Sequence, residues 1–246
     1  MGCGSEVKIT TMFVLLSALT GYKIVEVAKR DEGRDTQITY ITRRAIRMEF
    51  PTNGSAVIMR ITKGGVKAYM LNLKDSTYTD LSPMAASFST VYLAMFVKCK
   101  DNGKDCRIDS SVIRATDEYR KINGHRARKV IYYLRNLKGL LTSMGPALPD
   151  SIASWFVKDW KALYRAEVMR TDFLSEFTIN AINDPQARSL VRRLNPFLKR
   201  LLKKYGAPIV TVSPFMGQVV EVTRISVRKT SMGESLFKVP EGFRKR

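Results

Sequence analysis

Histidine is nearly missing from this sequence: His125 is the only one among 246 residues. Chemistry that needs several histidines, as metal ligands or as paired bases, is therefore excluded. A serine or cysteine nucleophile wants a histidine base. The single histidine follows an Asn123-Gly124 turn, where an ordinary surface or strand role suits it. Cysteine is scarce as well, limited to Cys3, Cys99 and Cys106. Two thiols with no histidine nearby are too few for a zinc site. No HExxH, phosphate-binding loop or dinucleotide fingerprint occurs. Neither metal, cofactor nor enzymatic activity is expected.

Long hydrophobic runs are missing too. The uncharged stretch Ile9–Tyr22 has 14 residues, whereas a membrane-spanning helix needs about 20. Acidic residues are the remaining shortage: 22 Asp and Glu face 42 Lys and Arg, a net charge of +20. Such an excess points to an anionic partner, whether nucleic acid, anionic lipid headgroups or acidic glycans, or to strong self-repulsion tolerated for solubility. It is concentrated late in the chain, where residues 185–246 carry 14 Lys and Arg against 3 Asp and Glu.

What is present suffices for a core. Hydrophobic residues make up 45% and charged residues 26%, the balance of a globular chain. No repeat and no long linker divides it, so residues 22–246 are expected to form one domain. Ile9–Tyr22 suits the apolar part of a secretory signal, within a leader covering 1–21. Ser17, Ala18, Thr20 and Gly21 offer a cleavage site near position 20 or 21; a buried first helix or strand is the alternative. Cys99 and Cys106 flank a polar loop containing Asn102-Gly103, an arrangement that suits a disulfide, with two free thiols as the alternative. Disulfides persist in exported compartments, so the two features agree on export.

The order of elements predicts an α+β fold. Strands are expected over 22–29, 37–42, 45–50, 56–62 and 67–74, with 77–80 as an extension. Asn53-Gly54 and Gly64-Gly65 serve as turns. Ile46, Met48 and Phe50 alternate with Arg47 and Glu49, which means one buried and one wet face. Residues 81–97 carry no charge, and Met84, Phe88, Val91, Tyr92, Met95 and Phe96 fall at helical spacing. They predict a buried helix on the sheet, entered through Ser82 as N-cap and Pro83. Asn123-Gly124 predicts a hairpin between 118–122 and 125–134, and 137–150 reads as a loop. Ser151–Trp160 fits strand or helix, and 161–182 is partly helical. The clearest amphipathic helix is 185–205, with Asp184 as N-cap, Pro196 as a kink and Gly206 as its end. Its polar face holds Arg188, Arg192, Arg193, Lys199, Arg200, Lys203 and Lys204. That face is solvated, or it meets an anionic membrane surface or envelope polymer, or nucleic acid. A last hairpin is expected from 209–212 and 218–228. Residues 235–239 follow, then a basic tail from 240 to 246.

Three blocks resemble a known family. They are GYKIVEVAKRDEGRDTQITYITRRAIRMEF with KAYMLNLKDSTYTDL, then DEYRKINGHRARKVIYYL, then SLFKVPEGFRKR. Together they resemble the LolA/LolB-like envelope proteins, in particular uncharacterised exported members, over roughly half the chain. The resemblance implies a curved antiparallel sheet, a half-barrel, with helices covering its concave face and an insertion around 150–206. It implies space for a lipid or lipoprotein acyl chain, and an early-strand arginine that helps close it, for which Arg43 or Arg47 is the match. The apolar set Ile46, Met48, Phe50, Met59, Tyr69, Leu71, Phe88, Tyr92 and Met95 is expected to line that cavity or to pack as core. The expected protein is a monomeric, non-enzymatic binder of the periplasm or outer membrane. A cytoplasmic nucleic-acid-binding protein is the alternative.

Overall fold

The computed structural model describes residues 18–30, 33–100, 105–134, 150–215 and 218–246. Strands β1 (Ala18–Arg30), β2 (Gly33–Ile41), β3 (Ala45–Phe50), β4 (Ser55–Thr62), β5 (Gly65–Asn72) and β6 (Thr77–Asp80) form an antiparallel meander. Turn chemistry explains the reversals: Gly54 sits at φ 62°, and Gly65 at φ 107°. Helix α1 (Ala85–Ala94) follows, then a separate hairpin of β7 (Val97–Lys100) and β8 (Asp105–Ile108). Next come β9 (Ile113–Ile122), β10 (His125–Tyr133) and β11 (Ser151–Val157). Asn123 and Gly124 both take positive φ, 48° and 85°, as a tight hairpin requires. Helices α2 (Lys161–Ala181) and α3 (Pro185–Tyr205) lead into β12 (Ala207–Phe215), β13 (Gln218–Gly233) and β14 (Arg244–Lys245).

Twelve strands join in one curved, unclosed sheet, ordered β14-β6-β5-β4-β3-β2-β1-β13-β12-β11-β10-β9. All its neighbours are antiparallel except β14 beside β6. The expected basic tail is thus an edge strand, tied by an Arg246–Asp75 ion pair at 2.8 Å. The leader expected over 1–21 lies outside the described residues up to position 17. Ala18–Gly21 are β1 residues paired with Gly233–Thr230. Gly21 is small for a packing reason, because a Cβ there would stand 2.0 Å from the Ile41 carbonyl oxygen.

Helix α2 lies across one face of the sheet. Its Ala166, Phe173 and Phe177 pack with Tyr22, Ile24, Ile41, Ile46 and Ala68. Helix α3 packs on α2, α1 and the β7–β8 hairpin through Leu190, Val191 and Leu194. Asp184 caps it, its Oδ1 accepting from the Ala187 N–H at 2.7 Å, and the helix runs through Pro196. The opposite face of the meander is covered by the C-terminal segment, with Phe237 against Ala45 and Met232, and Val239 and Phe243 against Ile58 and Leu71.

One open reading is settled, and two expectations need correction. Ser151–Val157 is a strand inside the sheet, between β10 and β12, so the helical excursion starts at Lys161. Its run Ser154-Trp155-Phe156-Val157 is buried on both faces, which removes the alternation that marks a strand. Ser82 does not cap α1; its hydroxyl accepts from the Ala68 N–H of β5 at 3.0 Å. Helix α1 turns Ala85, Ser89 and Leu93 inward, while Met84 and Phe88 are 51% and 47% exposed. The predicted loop over 137–150 lies outside the described residues, apart from Asp150.

Cys99 and Cys106 face each other across β7–β8 and are disulfide-bonded. The bridge closes a short loop, with a sequence separation of 7, so its entropic contribution is modest, about 2.5 kcal/mol. Cys99→Ser/Cys106→Ser should lower stability by about that amount. Because Val97 packs with Leu190, Val191 and Leu194, hydrogen exchange of the hairpin and of α3's first half should accelerate together. Unchanged exchange in α3 would show that the hairpin opens independently.

Candidate functional site

The most unusual chemistry lies inside, between sheet and α2. Strand β1 turns Ile24, Glu26 and Ala28 to the helix side. Glu26 is 2% exposed, and a carboxylate removed from water needs partners. Thr39 donates its hydroxyl to Oε2 at 2.9 Å, and Gln37 Nε2 donates to the same atom at 3.2 Å, both from β2. Arg224 Nε of β13 stands 3.1 Å from Oε1, and Arg170 of α2 reaches to 3.9 Å. Arg170 also pairs with Glu167 one turn back at 3.2 Å. Arg224 further donates to Thr211 of β12.

A β-bulge makes the central pair possible. The β1–β13 register runs Val25 opposite Ser226, then Glu26 opposite Arg224, skipping Ile225. Without the extra residue, Ile225 would oppose Glu26 and Arg224 would face the other side. The bulge re-aims the arginine inward and leaves Ile225 47% exposed.

Two carboxylates and two guanidinia balance in charge. Burial opposes the charge on Arg170, yet Glu167 and Glu26 outweigh it and hold its pKa above the ordinary value. Burial first, and then the charge of Glu167, push the Tyr132 phenol well above its usual range, with Arg224 opposing. The set is not saturated: Arg224 Nε and Glu167 Oε1 are buried within ion-pair distance of partners but without an aligned hydrogen bond.

Beside this cluster is a cavity of about 270 Å³. One end is polar, formed by Glu26, Gln37, Thr39, Arg170, Thr211 and Arg224. The other is apolar, formed by Ile46, Met48 and Met59 of β3 and β4 with Leu174 of α2, while Val222 of β13 lies on the polar side, opposite Thr211. Three of the nine residues expected at a cavity are therefore there. Phe50 shares their side of β3 but lies at its end. Tyr69 and Leu71 lie on the other face, under Val239 and Phe243, because the β4–β5 register sets Ala68, not Tyr69, opposite Met59. Tyr92 and Met95 pack with α3, and Phe88 is exposed.

The two candidate gating arginines separate. Arg47 points away from the cavity; it pairs with Glu49 at 2.7 Å and donates to the Leu236 carbonyl at 3.0 Å, clamping the C-terminal segment. Arg43 is exposed in the β2–β3 turn, where Arg43, Arg44 and Lys229 line a recess with Tyr22 and Met169. On α3, Arg188 donates to the Ile182 carbonyl, Arg193 to that of Cys106, and Lys199 pairs with Asp172 at 2.5 Å. Arg192, Arg200, Lys203 and Lys204 are exposed, and among the described residues none forms an ion pair. His125 stacks on Trp160 at 5.0 Å and holds Asp159 at 2.9 Å, outside the cavity. Among the described residues no cluster of His, Cys, Asp or Glu could hold a metal ion, and no helix is long and apolar enough to cross a membrane.

Glu26, Glu167, Arg170 and Arg224 were not among the residues expected from the sequence. The readable signal was on α2, where Glu167 and Arg170 interrupt the stripe of Leu163, Ala166, Phe173 and Phe177. Charges in a core stripe mark a site.

No family model matches the chain. An uncharacterised protein of Aquifex aeolicus is 28% identical over 236 residues, covering 94% of this chain and 79% of its own. Two solved structures overlap most of both chains. One is an uncharacterised conserved protein from Thermus thermophilus, with TM-score 0.46, 8% identity, and 92% and 90% coverage. The other is a DUF1329 family protein from Desulfovibrio piger, with TM-score 0.32, 9% identity, and 90% coverage of each chain. At these identities and TM-scores none of the three assigns a family or a function to this chain.

Proposed function

We propose that this protein is a non-enzymatic, exported binder of a single-chain amphiphile, working in the cell envelope as a LolA/LolB-like half-barrel with α2 across its concave face. The observation that carries the reading is the two-ended cavity, apolar at Met48 and Met59 and polar at Glu26 and Arg224. A cavity of about 270 Å³ takes about nine groups of methylene or water size, enough for part of one acyl chain. The polar end is neutral in sum, so it favours an uncharged, hydrogen-bonding head such as an ester or hydroxyl over a free carboxylate. Arg224 Nε is ion-paired with Glu26 at 3.1 Å but makes no aligned hydrogen bond, so it can turn to a ligand acceptor there. The disulfide fits an oxidising compartment. Arg192, Arg200, Lys203 and Lys204 favour an anionic membrane surface, by about 1 kcal/mol each.

The test is displacement of a fluorescent acyl probe by a monoacylglycerol and by the matching fatty acid. The monoacylglycerol should compete better. Filling the cavity with Met59→Trp should weaken probe binding about tenfold, equal to about 1.4 kcal/mol, with the circular dichroism spectrum unchanged. If the wild type takes up no probe, or Met59→Trp binds it as well, the reading fails. Salt-sensitive capture of an oligonucleotide in its place would favour the nucleic-acid alternative.

A further inference from the structure

A second recess opens where α2 begins and α3 ends. Its volume is about 450 Å³, within the range of small-molecule sites. Its floor is Tyr164, Leu202 and Gly206, and its rim is Lys158, Lys161, Arg165 and Lys203. Three chain segments supply these four cations: the exit from β11, the first turns of α2 and the last turn of α3. No carboxylate lines the recess. Asp159, next in sequence, is turned to His125 at 2.9 Å. Among the described residues none of the four cations has an ion-pair partner.

Helix electrostatics do not account for this grouping. Lys203 complements the negative end of α3. Lys158, Lys161 and Arg165 stand at the positive end of α2, where cations are unfavourable, and no acidic residue occupies the first turn to offset them. Solvation of a long side chain explains one exposed cation but not three lysines and an arginine around a single concavity. An anion entering the recess relieves the repulsion among these exposed cations beyond what solvent screening does.

We infer that this recess binds a phosphate-bearing anion of two or more negative charges. Arg165 offers a planar fork for two oxygens, and the lysines act as point charges around the rest. The Tyr164 ring and Leu202 form an apolar floor for the group that carries the phosphate. The source is a soluble phosphate compound or a phospholipid headgroup. The inference stands apart from the acyl cavity, which α2 contacts through Arg170 and Leu174.

The experiment is calorimetric titration of the full chain with pyrophosphate and with glycerol 3-phosphate, and flotation with phosphatidylcholine vesicles with and without phosphatidic acid. Lys161→Ala/Arg165→Ala removes two rim charges from exposed positions. Lys63→Ala/Arg228→Ala removes the same charge elsewhere and should behave as wild type. The expected result is one saturable site, weakened about tenfold or more in the first variant only. Binding of the soluble compounds identifies a soluble ligand; binding of phosphatidic acid vesicles alone identifies a headgroup. Either supports the inference if the Lys161/Arg165 variant loses it. Equal losses in both variants, no binding of any probe by the wild type, or preference for an oligonucleotide over all of them would overturn it.

Discussion

Glu26→Ala should unfold about 3–5 kcal/mol more easily than the wild type in urea, the cost of breaking a buried ion pair from one side. The Glu26 and Arg224 side chains are 3% and 6% exposed, so water does not replace the lost partner. Removing the carboxylate leaves Arg224 and Arg170 with Glu167 alone to balance them, and leaves Thr39 and Gln37 without their shared acceptor. Glu26→Gln should fall between, because it keeps an acceptor oxygen but not the charge. Glu26→Leu/Arg224→Met removes both charges and should recover most of the loss, since a well-packed apolar pair is often as stable as a buried ionic one. That double variant should fold and yet lose its preference for monoacylglycerol over fatty acid. A loss under about 1 kcal/mol for Glu26→Ala is the range of exposed pairs, and it would mean that the cluster is hydrated in solution.

Gly206→Ala should cost about 4 kcal/mol, from backbone strain and overlap together. Gly206 has φ 95° and ψ −160°, a region reserved for glycine that costs an alanine about 1–3 kcal/mol. Its Cβ would also lie 2.0 Å from the Val157 carbonyl oxygen, 2.4 Å from the carbon and 2.9 Å from the Lys158 nitrogen. All three are backbone atoms, so relief requires α3 and β11 to separate. Gly242→Ala is the control: φ is also positive, at 83°, but nothing lies within 4 Å of the added carbon, so about 1 kcal/mol is expected. Thermal melts that rank the two variants equally would refute the close approach.

Local chemistry made much of the fold legible. The bounds of β3, the Asn123-Gly124 hairpin, and α3 from Asp184 to Gly206 were readable because caps, turn residues and periodicity act within a few positions, whereas 77–80, read as an extension of the strand before it, is a separate antiparallel strand. Strand β11 was ambiguous because it is covered on both faces. Phe88 satisfied helical spacing, yet the smaller Ala85 and Ser89 took the inward positions. The cavity set mixed two faces for a related reason. Alternation shows which residues of one strand share a side, but only register between strands joins those sides. Register also hid the Glu26–Arg224 pair, which depends on one extra residue in β13, a feature that no local pattern announces.

The β1–β13 ladder has a consequence for assembly. The first described strand is sandwiched between β2 and β13 in the middle of the sheet. A ribosome delivers β13 last but one, so β1 keeps an open edge until nearly the whole chain has emerged. The meander β1–β6 can form early through neighbouring hairpins; the half that begins at β13 cannot join it before then. Such distant pairing makes for slow folding and a prolonged exposure of a sticky border.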